Sequence, residues 1–308
     1  MIGFQQLLVR ALCALAFVGA LVVAGTARAT TGVIHVGQKV LTEDHYGTFV
    51  LSGDGYLDCA GHTIYNSNQS AVCYDQDDGY FQCGVLVESS FDEWIVDIKN
   101  CNIEGFEQGI TVAFSGANVW IYGNSIYDNA DGLYATYSYD FDVFDNDISS
   151  NDDVGLRIYN SGMDFRSSDV FYNGSDGVDG DLAYGVLIEN NNIKENADHN
   201  LEFDDCQYVT VKSNSIDGYR SGGANVETAR DGLQLERVNH FTVQSNTVRD
   251  SGRHGIYLRD SLNGVVRSNN VANSGRKETG RDCYRRNGSA TTFTSNTFGT
   301  HTGCSTVN

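Results

Sequence analysis

Proline is absent from all 308 residues. No segment of the repeat spaces its apolar residues at i, i+3 and i+4, no Cys-x-x-Cys occurs, and 20 basic residues face 40 acidic ones. Each absence excludes something. Missing helical spacing argues against an α-helical body, and missing proline fits one made of strands. Without Cys-x-x-Cys, a cysteine zinc site and thiol redox chemistry are not expected. So acidic a chain repels nucleic-acid phosphates, so no nucleic-acid partner is expected. Beyond residue 29 no apolar run is long enough to span a bilayer, so no membrane span is expected.

The first 29 residues read as a cleaved secretory signal: Arg10, an apolar stretch from Ala11 to Gly25, then the small-x-small site Ala27-Arg28-Ala29. A secreted or periplasmic protein is expected. Removing Arg10 and Arg28 leaves 18 basic residues against 40 acidic ones, a net of −22. Residues 30–219 carry net −27 and residues 220–308 net +5, an asymmetry that suits either a solubilising surface or local attraction of a polyanion. Of eight cysteines, Cys13 leaves with the signal, and an odd seven remain. Cys73 with Cys83 and Cys283 with Cys304 are expected disulfides, the latter closing a loop worth about 3 kcal/mol. Cys59 and Cys101 are expected to stack as small buried side chains, and Cys206 to be free.

What is present is a repeat. Rungs open at Gly109, Gly132, Gly155, Gly177, Asn200, Gly232 and Gly255, in steps of 23, 23, 22, 23, 32 and 23 residues. About fifteen residues into each comes Asn-x-Ile or Asn-x-Val: Asn124, Asn146, Asn191, Asn214, Asn246, Asn269, then Asn296 before Phe298, with Ser168 breaking the series. A fixed period of this length means a solenoid, because one unit cannot bury its own apolar face. Apolar and polar residues alternate within rungs, as in Gly232-Leu233-Gln234-Leu235-Glu236, which is strand spacing. The leucine-rich repeat has a similar length, but its Leu-x-x-Leu-x-Leu pattern and helical return are missing. The expected fold is all-β, a right-handed parallel β-helix with asparagines stacked on one internal corner. Rung-start glycines are expected to supply corner dihedrals that other residues resist. The expected organisation is a signal (1–29), opening rungs and cap (30–83), repeats (84–277), then a last rung and cap (278–308). The 32-residue rung has nine extra residues, placed at 218–226, which are expected to wall one face.

In register, outward residues become columns about 4.8 Å apart. The third place reads Thr111, Tyr134, Arg157, Asp179, Glu202, Gln234, Tyr257; the fifth reads Ala113, Thr136, Tyr159, Asp181, Asp204, Glu236, Arg259. Asp179, Asp181, Glu202 and Asp204 would share a patch that wants a cation or raised pKa values. Oxygen ligands at this spacing suit calcium, and a solvated acidic face is the plain alternative. The corner before the rung start reads Asp131, Val154, Asp176, His199, Asp231, His254, Lys277, with Arg230, Arg253 and Arg276 one place earlier. Arginine forks suit a polymer bearing a carboxylate on each sugar, and His199 or His254 could act as base or acid. Polar corner residues pairing with Asp231 and Asp250 remain the alternative.

Three stretches carry a resemblance: Leu57-Asp58-Cys59-Ala60-Gly61-His62-Thr63-Ile64, then Ile98-Lys99-Asn100-Cys101-Asn102-Ile103-Glu104-Gly105-Phe106, then the Asn-x-Ile rungs. The chain resembles right-handed parallel β-helix proteins, including pectate-lyase-like enzymes and NosD-type exported proteins. Asp176-Gly177-Val178-Asp179-Gly180-Asp181 and Arg253-His254-Gly255 are also similar to motifs of mannuronan C5-epimerases and alginate lyases. The first of these lacks that branch's tyrosine, proline and histidine, and His199 stands where the branch has an intermediate aspartate. The resemblance implies a polysaccharide lyase or C5-epimerase on an acidic polysaccharide, or alternatively a non-catalytic β-helix that binds glycan or a partner. Expected catalytic residues are His199, His254, Arg253, Arg230 and Asp179. Expected substrate contacts are Arg157, Tyr159, Asp231, Tyr257, Arg259 and Arg276, with calcium on Asp179, Asp181, Glu202 and Asp204. A monomer is expected.

Overall fold

The computed structural model describes residues 30–31, 34–66, 73–75, 79–88, 94–114, 118–218, 230–275 and 280–305. The expected signal, Arg276 and all of the 218–226 loop except Gly218 lie outside the described residues. The chain winds right-handed into a parallel β-solenoid of about nine turns, about 23 residues each, with no helix among the described residues. The turn of Gly155 shows the plan: strands Leu156–Tyr159, Met163–Arg166 and Asp169–Phe171. Leu156 lies between Leu133 and Val178, Phe165 between Val143 and Ile188, and Val170 between Ile148 and Ile193. These inward columns are fully buried, and each such side chain contributes about 1.5–3 kcal/mol. Gly180 makes room for the next turn: a Cβ there would lie 2.5 Å from the Phe203 ring.

Corners are made by single residues in the left-handed region, including Asp145, Ser167, Asn190, Ser213, Ser245 and Ser268. After glycine, Asn and Asp tolerate that conformation best, because their short polar side chains can hydrogen-bond locally. Each of these precedes a member of the expected asparagine stack. Asn146 Oδ1 accepts both the backbone N–H and the side-chain amide of Asn124, at 3.0 Å each, and Asn124 Nδ2 also donates to Ile98 O. The same exchange joins Asn191 to Asn214, then Asn246, Asn269 and Asn296. Ser168 keeps the chain of bonds by accepting from the Asn146 N–H. A second stack, not foreseen, runs through Asn129, Asn151, Asn173 and Asn196. Buried backbone at both corners is thereby satisfied.

The rung-start glycines serve another purpose than expected. None of Gly109, Gly132, Gly155, Gly177, Gly232 or Gly255 has a left-handed φ. A Cβ on Gly132 would lie 2.5 Å from Gly155 O, 2.7 Å from Ile148 Cγ2 and 2.8 Å from Asn151 Nδ2. The second asparagine stack passes beside the backbone here, and only glycine leaves it space.

Cys73–Cys83 and Cys283–Cys304 are bonded, and Cys206 is free and buried. Cys59 and Cys101 correct the expectation: they are bonded across the opening turns, Cα atoms 4.7 Å apart, rather than stacked as thiols. Cys206 accepts from the Ala183 N–H and approaches Gly180 O. It takes the place that Ser161 and Ser261 hold for Ser138 and Val238. An antiparallel hairpin, Cys73–Asp75 with Gly79–Phe81, gathers Cys73, Phe81 and Cys83 with Val50, Leu86 and Ala113 into a second apolar cluster. This cluster lies on the outward side of the opening first strands, and farther along that side Thr111, Tyr134 and Thr136 are buried. No described helix is long and apolar enough to cross a membrane.

Candidate active site on the outer face

In the turns of Gly155, Gly177 and Asn200 the first-strand columns reach the surface, whereas Gln234, Glu236 and Tyr257 in the next two turns are buried. Register places Arg157 beside Asp179, Asp179 beside Glu202, and Glu202 beside Gln234. The corner before them brings Asp176, His199 and Asp231 alongside. At the centre is His199. Its backbone N–H donates to Asp176 Oδ1 at 2.7 Å, and its Nδ1 lies 3.1 Å from both Asp176 Oδ1 and Glu202 Oε2. Gln234 donates to the other Glu202 oxygen. Burial opposes charge on the ring, but hydrogen bonds and charge from Asp176 and Glu202 outweigh it and lift the pKa to about 10. A ring whose proton is held this firmly by Asp176 and Glu202 is a poor general base near neutral pH, which speaks against the expected role of His199 as base.

Burial pushes Asp179 up to about 7; the Arg157 charge pulls against it, while Asp176, Glu202 and Asp181 reinforce it. Arg157 lies 3.6 Å from Asp179 and holds Asp131 and Asp153 at 3.0 and 2.9 Å. The expected four-carboxylate calcium patch is divided. Glu202 belongs to the His199 cluster, and Asp179 stands next to Glu202 in register, beside Arg157. Arg237 claims Asp204, together with Asp205 and Glu236. Asp181, raised by burial and by Asp205, faces that second group.

The arginine row is also taken up internally. Arg253 pairs with Asp231, whose side chain is fully buried, and donates to Gln234 at 3.1 Å. Arg230, the more exposed, pairs with Asp198 at 3.0 Å. Arg259 pairs with Glu236 at 3.0 Å. His254 was expected to point outward, but it is 8% exposed. Its ring stacks on Tyr257 and Tyr284, and Nδ1 accepts the Arg281 N–H at 3.0 Å. Tyr257 is likewise covered, with Arg253 over its ring at 5.2 Å. Tyr159 stays partly exposed, edge-on to Tyr137. The expected substrate contacts Asp231 and Tyr257 and the expected catalytic His254 are thus buried, Asp231 against Arg253 and the two rings against each other and Tyr284. Asp176, Asp198, Gln234 and Arg237 enter the site. Asp176 had a readable signal, since it precedes His199 in the same column by one turn.

The chain belongs to the right-handed β-helix family, whose right handed beta helix region matches residues 47–230. It is similar in structure to the A-module of Azotobacter vinelandii mannuronan C-5 epimerase AlgE6, at 14% identity over 87% of this chain and 84% of that one, TM-score 0.60. It is also similar to a mutant of the periplasmic alginate epimerase AlgG (13% identity, 74% and 57% covered, TM-score 0.61). DFA-IIIase of Arthrobacter chlorophenolicus A6 is a third such structure (11% identity, 73% and 59% covered, TM-score 0.56). At such identities the likeness is one of fold. No curated protein matches the sequence.

Proposed function

We propose that this chain is an exported carbohydrate-active enzyme that works on an acidic polysaccharide, as a lyase or a uronate C5-epimerase. The observation that carries the reading is Asp179, a partly exposed carboxyl held near neutrality by burial, 3.6 Å from the Arg157 guanidinium. Both reactions begin by removing the C5 proton beside the sugar carboxylate, which is feasible once that carboxylate is neutralised. Arg157 receives the carboxylate and ionised Asp179 takes the proton, its pKa lying near the working pH. His199 and His254 act as positioning groups, and Tyr159, Arg230 and Arg259 line the approach of the polymer.

The test uses the purified exported chain with alginate and with pectate. A lyase produces unsaturated ends that absorb in the ultraviolet, and an epimerase exchanges the C5 proton with deuterated water. Asp179→Asn should lose either signal. Polymer retention without either signal would favour the binding reading. That alternative has its own support in Tyr184, Tyr208 and His240, whose exposed rings follow one another at 5.0 Å on successive turns and suit stacking on sugars.

A further inference from the structure

Four carboxylates surround one imidazole. His199 Nδ1 lies 3.1 Å from Asp176 Oδ1, 3.1 Å from Glu202 Oε2 and 3.8 Å from Asp198 Oδ1, and its Nε2 lies 3.9 Å from Asp231 Oδ2. Two of the four have cations of their own, Arg230 for Asp198 and Arg253 for Asp231. Among the described residues, the one cationic partner of Asp176 and Glu202 is His199. One imidazolium balances one of that pair, whereas a divalent cation held by a neutral ring balances both. Like charges this close are costly unless neutralised.

The donors are already gathered. One ligand atom each from Asp176, His199 and Glu202 lies within 4.8 Å of the other two. The ring is 2% exposed, and its Nε2 has no hydrogen-bond partner. A histidine that ligates through one nitrogen characteristically turns its other N–H to a carboxylate, and Asp231 stands on that side. Gln234 occupies one oxygen of Glu202 and leaves Oε2 toward the ring nitrogen. Glu202 is a quarter exposed, so the cluster opens to the outer face, where an ion could keep positions for water or a sugar oxygen.

We propose that Asp176, His199 and Glu202 form a binding site for a first-row divalent metal such as zinc or manganese. An imidazole with two carboxylates suits those ions, whereas calcium takes six to eight oxygens. The proposal concerns the site itself. It deepens the enzymatic reading, because a dication would offset the negative charge that otherwise repels a uronate, but it does not need turnover to be tested.

The full exported chain, with its disulfides intact, is stripped with chelator and titrated calorimetrically with zinc, manganese and calcium. One equivalent of zinc or manganese is expected to bind at least about tenfold more tightly than calcium. Glu202→Gln alters a partly exposed side chain and so keeps the fold; it should weaken binding about tenfold or more. Nitrogen coupling in the manganese resonance spectrum should report His199, and Asp204→Asn should leave affinity unchanged. No saturable binding, or binding indifferent to Glu202→Gln, would overturn the site. Calcium binding that disappears in Asp204→Asn would overturn it in favour of the four-carboxylate patch. Failure of turnover with metal binding intact would reject the enzymatic reading alone.

Discussion

Two of the polar stacks that follow the repeat along this solenoid are built on opposite terms. At the asparagine corner, side chains from Asn124 to Asn296 are neutral and nearly identical, and each is answered by the next. At the corner before the first strand, Asp131, Val154, Asp176, His199, Asp231 and His254 change at every step, and His199 Nε2 is buried without a hydrogen-bond partner. An amide carries both donor and acceptor and can bond to a copy of itself, whereas a carboxylate cannot. Repetition therefore marks the stack that holds the fold. Broken repetition, with charge gathered on it, marks the one where chemistry is to be sought.

The widest separation between the two stacks should come from Asp179→Asn. Turnover on the polysaccharide is expected to fall by about 10²–10⁴, while the melting temperature holds or rises because a partly exposed acid whose ionisation is opposed by its surroundings is replaced by a neutral isostere. Asn191→Ala should do the reverse. It leaves the Ser168 N–H and Phe165 O without their partner, at about 1–3 kcal/mol for each orphaned group. Melting should drop by several degrees while activity per folded molecule is kept. Lost activity at an unchanged melting temperature would break the comparison.

His254→Ala tests the boundary between the stacks. An outward corner residue would leave stability untouched. A ring packed between Tyr257 and Tyr284 should instead cost about 1–3 kcal/mol, read by denaturant unfolding.

The pH dependence of stability sharpens the same contrast. Folding raises Asp179 from 3.8 to about 7 and His199 from 6.5 to about 10. In both windows the folded chain binds more protons than the unfolded one, so these groups lower stability as pH rises. Asp179 acts between about pH 4 and 7, and His199 between about 6.5 and 10. Asp179→Asn should flatten the first descent and His199→Gln the second; descents that persist in both variants would show that other groups govern them. The smallest effect belongs to Cys206→Ser, since serine already fills that corner at Ser161 and Ser261. A change within about 1 kcal/mol is expected, and a large loss would show that the thiol packs as an apolar group.

The asparagine corner was legible because its signal is a residue type at a fixed period. The Asn129 stack had the same signal in spacing, but no Asn-x-Ile marks it. The site was legible only in part. Column alignment placed Asp179, Glu202, Arg157 and His199 on one face, yet assigned His254, Asp231 and Tyr257 to solvent. Alignment reports which residues neighbour one another, not how far a side chain folds back onto the next turn. It likewise joined Asp204 to Glu202 without seeing that Arg237 would draw Asp204 away.

By itself the sequence determined the solenoid, its period, its strand content and the corner that amides would fill. These follow from local alternation and from a repeat that must stack to bury its apolar face. Tertiary structure alone decided why the rung-start glycines are there, that Cys59 reaches Cys101, and which nitrogen of His199 meets which carboxylate. Those outcomes depend on separations of a few ångströms between atoms one or more turns apart in the chain, where sterics and charge are settled by packing rather than by periodicity.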